Sequence, residues 1–283
     1  MAAIYDAIHT TVQIEPYKIA LNDTAHFQRN ITLTIRNLSP NTDTFQLSHL
    51  PATSIEGFNL HPSAVPVTAP NYKNTHASVT FDQTKFIIEG NKKISVNVYF
   101  DPPQENITEH MLYGGYIELS SNNSASSSRV PYFGSLGNQY DLPIFDVSNE
   151  FPFIGDYYGS TTMQSRIYNF KRRDSLFLYV RIANPTRIFK AELLDAASNV
   201  SVGSLPGIHG VWLPRNDHTK ENHKYVYEWR GGIHASSSPR RQASYRSVSR
   251  GRYRIRLSAL RIFGDHNIKK DWHVWESPEF SVQ

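Results

Sequence analysis

The sequence contains no cysteine and only 3 methionines among its 283 residues. The lack of cysteine excludes disulfide bonds, thiolate nucleophiles and cysteine-ligated zinc or iron–sulfur centres. No apolar run approaches the ~18 residues that a transmembrane helix needs, so we predict no membrane span. Charged residues make up only 19% and hydrophobic residues 39%, a composition too apolar for a disordered chain.

Aromatic and turn-forming residues are abundant instead. The chain has 16 tyrosines, 15 phenylalanines, 16 prolines and 15 glycines, which favours strands separated by turns. Apolar residues alternate with polar ones in the first half, as in Ile94, Val96, Val98 and Phe100. About seven such segments, each with one polar face, predict an antiparallel β-sandwich over residues 12–137.

The second half predicts another, more irregular β domain. Turn formers cluster between 137 and 150, so we predict a linker at 138–150 and a second sandwich over 151–283. The segment 176–182 is apolar on both faces, which indicates a central strand, whereas 205–222 reads as a long loop. Helical spacing is convincing only at residues 2–9 within the N-terminal segment 1–11, which is too short to be stable alone.

Positive charge is concentrated in one segment. Residues 1–140 carry 8 basic and 11 acidic side chains, residues 141–283 carry 21 and 14, and seven arginines lie within 240–256. This segment suggests a polyanion-binding loop, with tyrosines stacking on bases. From Gly251 onward, however, the arginines alternate with apolar residues, which favours the polar face of a strand. We therefore predict no nucleic-acid partner.

Two short strings resemble pieces of a serine-protease site. The string from Gly159 to Met163 has its serine and threonine inverted relative to the subtilisin serine motif, and His209-Gly210-Val211 resembles the histidine motif. The chain contains no Asp-Ser/Thr-Gly string that would supply the orienting acid. We therefore predict no catalytic residue and no enzymatic activity of the chain by itself.

A metal site would have to use the cluster within 217–223. Its spacing fits neither the i, i+4 pair of a helix nor the i, i+2 pair of a strand, so a solvated polar loop is the better interpretation. A glycine-rich phosphate loop between a strand and a helix is also missing. We predict no cofactor and no metal; the four residues considered are Asp217, His218, Glu221 and His223.

Six sequons for N-glycosylation occur, about twice the number expected by chance. They suggest an exported protein, although the N-terminus has no basic region followed by an apolar core, as a signal peptide would. The candidate N-glycosylation sites are Asn22, Asn30, Asn37, Asn106, Asn122 and Asn199.

Four longer strings carry a resemblance to a known family. The first comprises KIALNDTAHF, TLTIRN and TFQLSHLPA within residues 18–52, and the second is VPYFGSLGN…LPIFD at 130–146. The others are GRYRIRLSALRIFGD at 251–265 and WESPEF at 275–280. Together, over roughly residues 12–283, they resemble the C-terminal fibronectin type III-like accessory region of fungal secreted subtilisin-like serine proteases. YDAIHTTV at 5–12 is similar to the last helix of the protease domain in that subtilase family.

The resemblance implies a fold, a location and partners. It predicts an all-β chain of two consecutive fibronectin type III/immunoglobulin-like antiparallel β-sandwiches with a short N-terminal helix. The family's Asp/His/Ser motifs lie upstream of that helix, and none maps onto this chain. The family pattern also breaks at 236–250, where a Ser/Arg-rich stretch replaces a short hairpin.

We therefore expect a non-catalytic accessory region that lacks its protease domain, stabilises such a domain and presents substrates. Its expected partners are the protease domain and that protease's protein substrates. Its expected location is extracellular or in the cell wall, if a signal peptide is supplied upstream. Two alternatives remain: a serine-type endopeptidase with an unrecognised site, and a polyanion-binding protein that uses the arginine-rich segment.

Overall fold

A computed structural model describes residues 11–59, 65–161, 166–218, 223–235 and 245–283. The predicted helix at 2–9 lies outside these ranges. Strands dominate, and the helices among the described residues are three-residue 3₁₀ turns, so the predicted all-β class is confirmed. No helix in the described part of the chain is long and apolar enough to cross a membrane.

The chain divides into two compact units. The first unit comprises the residues up to Phe58 together with Ala69–Gln139, and the second comprises Asn59–Thr68 together with Tyr140–Gln283.

Two sheets form the first unit, and most of their neighbouring strands are antiparallel. The first sheet has the order β1-β3-β9-β7, and the second has the order β2-β11-β10-β4-β8, with β5 paired to β10 and β6 to β5. In the second sheet β2 runs parallel to β11. The strands are β1 (Val12–Glu15), β2 (Ile19–Asn22), β3 (Asn30–Asn37), β4 (Asp43–Pro51), β5 (Ser54–Asn59), β6 (Val65–Lys73), β7 (Ser78–Phe81), β8 (Lys85–Ile88), β9 (Lys93–Asp101), β10 (Leu112–Ser121) and β11 (Ser124–Ser135).

The core of the first unit follows the predicted alternation. On β9, Val96, Val98 and Phe100 are fully buried, and Ile94 packs against the same core. The opposite side chains of a strand point to the other face of its sheet. The phase predicted for this strand is therefore confirmed.

The second unit has a three-stranded sheet in the order β12-β14-β17 and a larger one in the order β13-β22-β20-β15-β16-β18-β19, with β21 paired to β20. The segment predicted as a central strand is β14, which lies between two neighbours. The strands are β12 (Phe153–Gly155), β13 (Ile167–Tyr168), β14 (Leu176–Val180), β15 (Thr186–Asp195), β16 (Ser201–Leu213), β17 (Tyr225–Trp229), β18 (Gly232–His234), β19 (Tyr245–Ser247), β20 (Gly251–Leu260), β21 (Trp272–Glu276) and β22 (Phe280–Val282).

The prediction of a loop from residue 205 is wrong as far as Leu213, because β16 covers this segment. Pro206 and Gly207 concealed the strand. The register with β15 jumps from His209 to Ser204, so the missing N–H of Pro206 falls in an unpaired interval of the ladder.

The segment 138–150, predicted as a linker, contributes side chains to the second unit. Ile144 and Phe145 belong to its buried core. Arg261 donates from Nη1 to the carbonyl oxygens of Tyr140 (2.7 Å) and Leu142 (3.0 Å). These contacts fix the start of the second unit on its larger sheet.

Candidate functional site

The strongest candidate site is a cluster of aromatic rings on the three-stranded sheet of the second unit. We call it the aromatic surface. It consists of Phe151, Phe153, Tyr157, Tyr158, Phe177 and Tyr179.

The surface arises from the two-residue period of β14. Leu176, Leu178 and Val180 enter the core, so Phe177 and Tyr179 lie on the other face of the sheet. The sequence pattern, apolar at both phases, therefore describes one buried face and one aromatic face.

The rings contact each other across the strands. Phe153 is the register partner of Tyr179, and their rings stack with centroids 4.7 Å apart and planes 13° apart. Phe151 lies 5.3 Å from Phe153, and Tyr157 meets Phe177 edge-on at 5.7 Å. Aromatic pairs in such geometries contribute about 0.5–1.5 kcal/mol beyond the burial of their area.

Polar contacts hold the loop that carries the outer tyrosines. The Tyr179 hydroxyl donates to the carbonyl oxygens of Asp156 (2.8 Å) and Tyr157 (3.2 Å). The Asp156 carboxylate accepts from the N–H groups of Tyr158 and Ser160. Burial, together with the nearby Asp156 charge, raises the pKa of Tyr179, so its hydroxyl stays a donor at neutral pH.

The outer edge of the aromatic surface is accessible. Tyr157 is 73% exposed and Tyr158 is 89% exposed. The Lys224 ammonium lies 5.9 Å from the Phe151 ring and 5.6 Å from the Tyr179 ring. Ordered tyrosine side chains of this kind are typical of the residues that dominate protein–protein interfaces. This surface is therefore suited to bind another protein.

The two strings that resemble protease motifs lie on different elements. Ser160 belongs to a tight turn after β12, in which the Asp156 N–H donates to the Ser160 carbonyl oxygen. His209 is exposed on β16 in the larger sheet, opposite Lys190. The only roles that the described contacts give these two residues are in a turn and in a strand.

The predicted polar loop at 217–223 is only partly solvated. His218 is 8% exposed; its Nε2 lies 3.3 Å from the Ile182 carbonyl oxygen and its Nδ1 lies 3.9 Å from Asp146. Desolvation lowers the pKa of His218. His223 Nδ1 accepts from the Asp217 N–H at 2.5 Å. Glu221 lies outside the described residues, within which no group of metal-ligating side chains assembles.

The buried charges beneath this loop were not predicted from the sequence. Asp146 is fully buried, and Arg181, only 8% exposed, has its Nε 3.6 Å from Asp146. Asn149 donates to both oxygens of that carboxylate, at 2.9 and 3.0 Å. Neither residue belongs to a recognisable sequence motif. The end of β14, the turn at Asp146 and the loop at 216–218 come together only in the folded chain.

Part of the arginine-rich segment confirms the strand interpretation. Arg256 pairs with Glu276, and Arg252 and Arg254 lie near Glu279. These arginines therefore lie on β20 with carboxylates beside them. Arg240 and Arg241 lie outside the described residues.

The six sequons differ in accessibility. Asn37 is fully buried, and its Nδ2 donates to the carbonyl oxygens of Asn41 and Ile88, so the folded protein does not present it as an acceptor. Asn22 donates to the His26 carbonyl oxygen. The remaining four asparagines are exposed: Asn30, Asn106, Asn122 and Asn199.

A family model described as an Fn3-like domain matches residues 19–133. The search of curated proteins found no match.

Among solved structures, the ASH/PapD-like domain of human CEP192 matches at 15% identity, covering 46% of this chain and 87% of that chain, with a TM-score of 0.30. The Pseudomonas aeruginosa CupB2 chaperone matches at 11% identity, covering 93% and 98%, with a TM-score of 0.28. The E. coli chaperone DraB matches at 10% identity, covering 96% and 95%, with a TM-score of 0.30. These scores carry no functional argument. Residues 19–133 are a fibronectin type III-like region.

Proposed function

We propose that this chain is a non-catalytic accessory region of a secreted, subtilisin-like serine endopeptidase and that it binds and stabilises the protease domain. The Fn3-like match over residues 19–133 carries this proposal, because it covers the strings within 18–52, apart from Lys18, and reaches the start of the string at 130–146, and these resemble the first domain after the protease. The two remaining strings, 251–265 and 275–280, fall on or beside β20, β21 and β22. In this proposal the protease domain performs catalysis.

The aromatic surface is the proposed contact with the protease domain. Its rings are fixed by stacking and by the Tyr179 hydrogen bonds, so binding does not require much additional ordering of side chains. Tyr157 and Tyr158 project furthest into solvent, at 73% and 89% exposure. We therefore expect these two side chains to contribute to the free energy of binding and little to the free energy of folding.

The test uses this chain and a separately produced fungal subtilisin-like protease domain. Association is measured by isothermal titration calorimetry, and stabilisation by the half-life of the protease at elevated temperature. The double variant Tyr157→Ser/Tyr158→Ser is expected to weaken association at least about tenfold, as loss of interface tyrosines does. Its own unfolding free energy should change by less than about 1 kcal/mol because both rings are mostly exposed.

A matched control is Tyr17→Ser in the first unit, where the tyrosine is 74% exposed and lies outside the aromatic surface. It should leave association within about twofold of the wild type. A fluorophosphonate probe should label the protease serine and not this chain. Stoichiometric labelling of this chain by the probe would contradict the accessory function. So would a lack of association between this chain and the protease domain.

A further inference from the structure

A second surface of the second unit, on the larger sheet, has features of a different ligand. It is a groove of ≈ 540 Å³ over β15, β20 and β21. Arg256 is the register partner of Glu192 on one side and of Glu276 on the other. Further along, Leu260 pairs with Trp272. Arg256 and Leu260 are four positions apart on β20, which corresponds to ~13 Å of strand, and the groove is therefore elongated.

The chemistry of this groove fits a neutral, hydroxyl-rich ligand. Arg256 pairs with Glu276 through Nε at 2.8 Å and Nη2 at 2.7 Å. Lys190, beside Glu192 in the lining, lies 4.2 Å from the centroid of the Trp272 ring. The lining holds three basic residues, Lys190, Arg256 and Lys269, and two acidic ones, Glu192 and Glu276, so the two signs nearly balance. A polyanion or polycation would meet like charges here.

Trp272 supplies a fixed aromatic wall at one end. Its Nε1 donates to the His266 carbonyl oxygen at 3.1 Å, and the Lys190 ammonium provides a cation–π contact. An aromatic ring beside paired carboxylate, guanidinium and amide groups offers both apolar contact and hydrogen bonds. Sugar rings present the complementary combination of C–H faces and hydroxyl edges.

Asn199 lies in the lining of the same groove. It occupies the turn between β15 and β16 with φ 57°, and it is exposed. Within the part of the chain that the structure describes, its side-chain amide makes no hydrogen bond, in contrast to the amides of Asn22 and Asn37. Asn199-Val200-Ser201 is a sequon.

We propose that the groove holds the first sugars of an N-linked oligosaccharide attached to Asn199. This rests on the proposed function, since only a chain that passes through the secretory pathway meets the donor. Attachment joins Asn199 Nδ2 to C1 of the first sugar and breaks the bond between C1 and the diphosphate of a lipid-linked oligosaccharide. The lipid diphosphate leaves, and the amide proton passes to a base of the transferase. The attached glycan then lies along β20 towards Trp272.

The test uses the full chain secreted from a eukaryotic host, with glycopeptide mass spectrometry and hydrogen exchange. Asn199 is expected to be occupied. Its glycan should slow amide exchange in residues 254–258 and 272–276 by about threefold or more, because it covers their strands. Removal of the glycan by a peptide amidase and the Asn199→Gln variant should both abolish this protection.

Asn122→Gln is the matched control, because Asn122 is an exposed sequon asparagine in the first unit. It should leave exchange on β20 and β21 unchanged. An occupied Asn122 with an empty Asn199, or an occupied Asn199 without protection of these strands, would overturn the inference. An absence of glycan at every sequon would contradict both this inference and the secretory location.

Two further measurements separate this inference from neighbouring ones. Binding of free mannose- or N-acetylglucosamine-containing oligosaccharides to unglycosylated protein at high micromolar concentration would reassign the groove to a free polysaccharide. Asn199→Gln should leave association with the protease domain intact, because the aromatic surface lies on the other sheet of this unit. Failure of the glycan inference is therefore distinguishable from failure of the accessory function.

Discussion

The two units obtain their cores in different ways. In the first unit, apolar residues at every second position of β3 and β9 meet in register, as Leu33 does with Val96. The second unit has the same kind of register between β15 and β20, where Leu193 faces Ile255. In addition, hydrogen bonds and buried charges hold the segment 140–146 and the loop at 216–218 against its core. Periodicity therefore predicts the core residues of the first unit, whereas the core of the second also depends on contacts between segments far apart in sequence.

The polar contacts of the second unit form two clamps. In one, Asp146 is buried with Arg181 and accepts two hydrogen bonds from Asn149. In the other, His273 Nδ1 accepts from the Ile144 N–H at 3.0 Å. Each clamp ties a turn to a strand that alternation alone would leave unconnected.

The largest effect on stability is expected from a charge introduced into the apolar core of the first unit. Val98→Asp should cost about 5 kcal/mol of unfolding free energy, because an unpaired carboxylate would enter a fully buried site. Ser95→Asp, on the exposed phase of β9, should change it by less than about 0.5 kcal/mol. The unfolding free energies of both variants are measured in urea, with hydrogen exchange at residues 94–100 as the readout. Equal effects of the two substitutions would show that the phase of β9 is wrong.

An intermediate effect on the unfolding free energy is expected when a buried charge is removed from the second unit. Asp146→Ala should cost roughly 3–5 kcal/mol, because Arg181 would remain buried without its carboxylate. The exposed pair Glu228–Arg230 is the control, and Glu228→Ala should cost far less unfolding free energy, because an exposed ion pair contributes little to stability. All four tryptophans lie in the second unit: Trp212, Trp229, Trp272 and Trp275.

Tryptophan emission during urea unfolding therefore reports on the clamp at Asp146. The double variant Asp146→Leu/Arg181→Met should recover part of the loss, because neither charge remains buried. A double variant as unstable as Asp146→Ala would locate the loss in the Asn149 hydrogen bonds instead.

The smallest expected effect is a pH dependence of the stability of the second unit. Burial, with the Arg261 charge as a smaller cause, lowers the pKa of His273 from 6.5 to about 4. The unfolded chain therefore binds a proton more tightly, and stability is lost as the pH falls from about 6.5 towards 4. The loss should be roughly 2–3 kcal/mol.

The pH dependence is measured by tryptophan-monitored unfolding between pH 7 and pH 4. His273→Gln should remove most of this slope while retaining an acceptor for the Ile144 N–H. The lowered pKa of His218 acts in the same direction, so a smaller slope should remain in the variant. An unchanged slope would show that His273 is not the titrating group.

Much of the fold could be predicted because local patterns carried it. Alternation placed β9 and its buried phase correctly, and the two apolar phases of 176–182 identified β14 as central. The strand β16 was missed because Pro206 and Gly207 resemble a loop until the partner strand shows where the ladder is interrupted. The same limit hid Asp146 and Arg181, whose separation in sequence gives no sign of an ion pair.

The sequence by itself determined the all-β class, a fibronectin type III-like region in the first half of the chain and the positions of the six sequons. These depend on side-chain period and short motifs, which are local properties of the chain. Tertiary structure alone decided that Asn37 is buried while Asn199 borders a groove, and that Phe153 stacks on Tyr179. Burial and ring contacts depend on which distant strands become neighbours, and no local pattern specifies that.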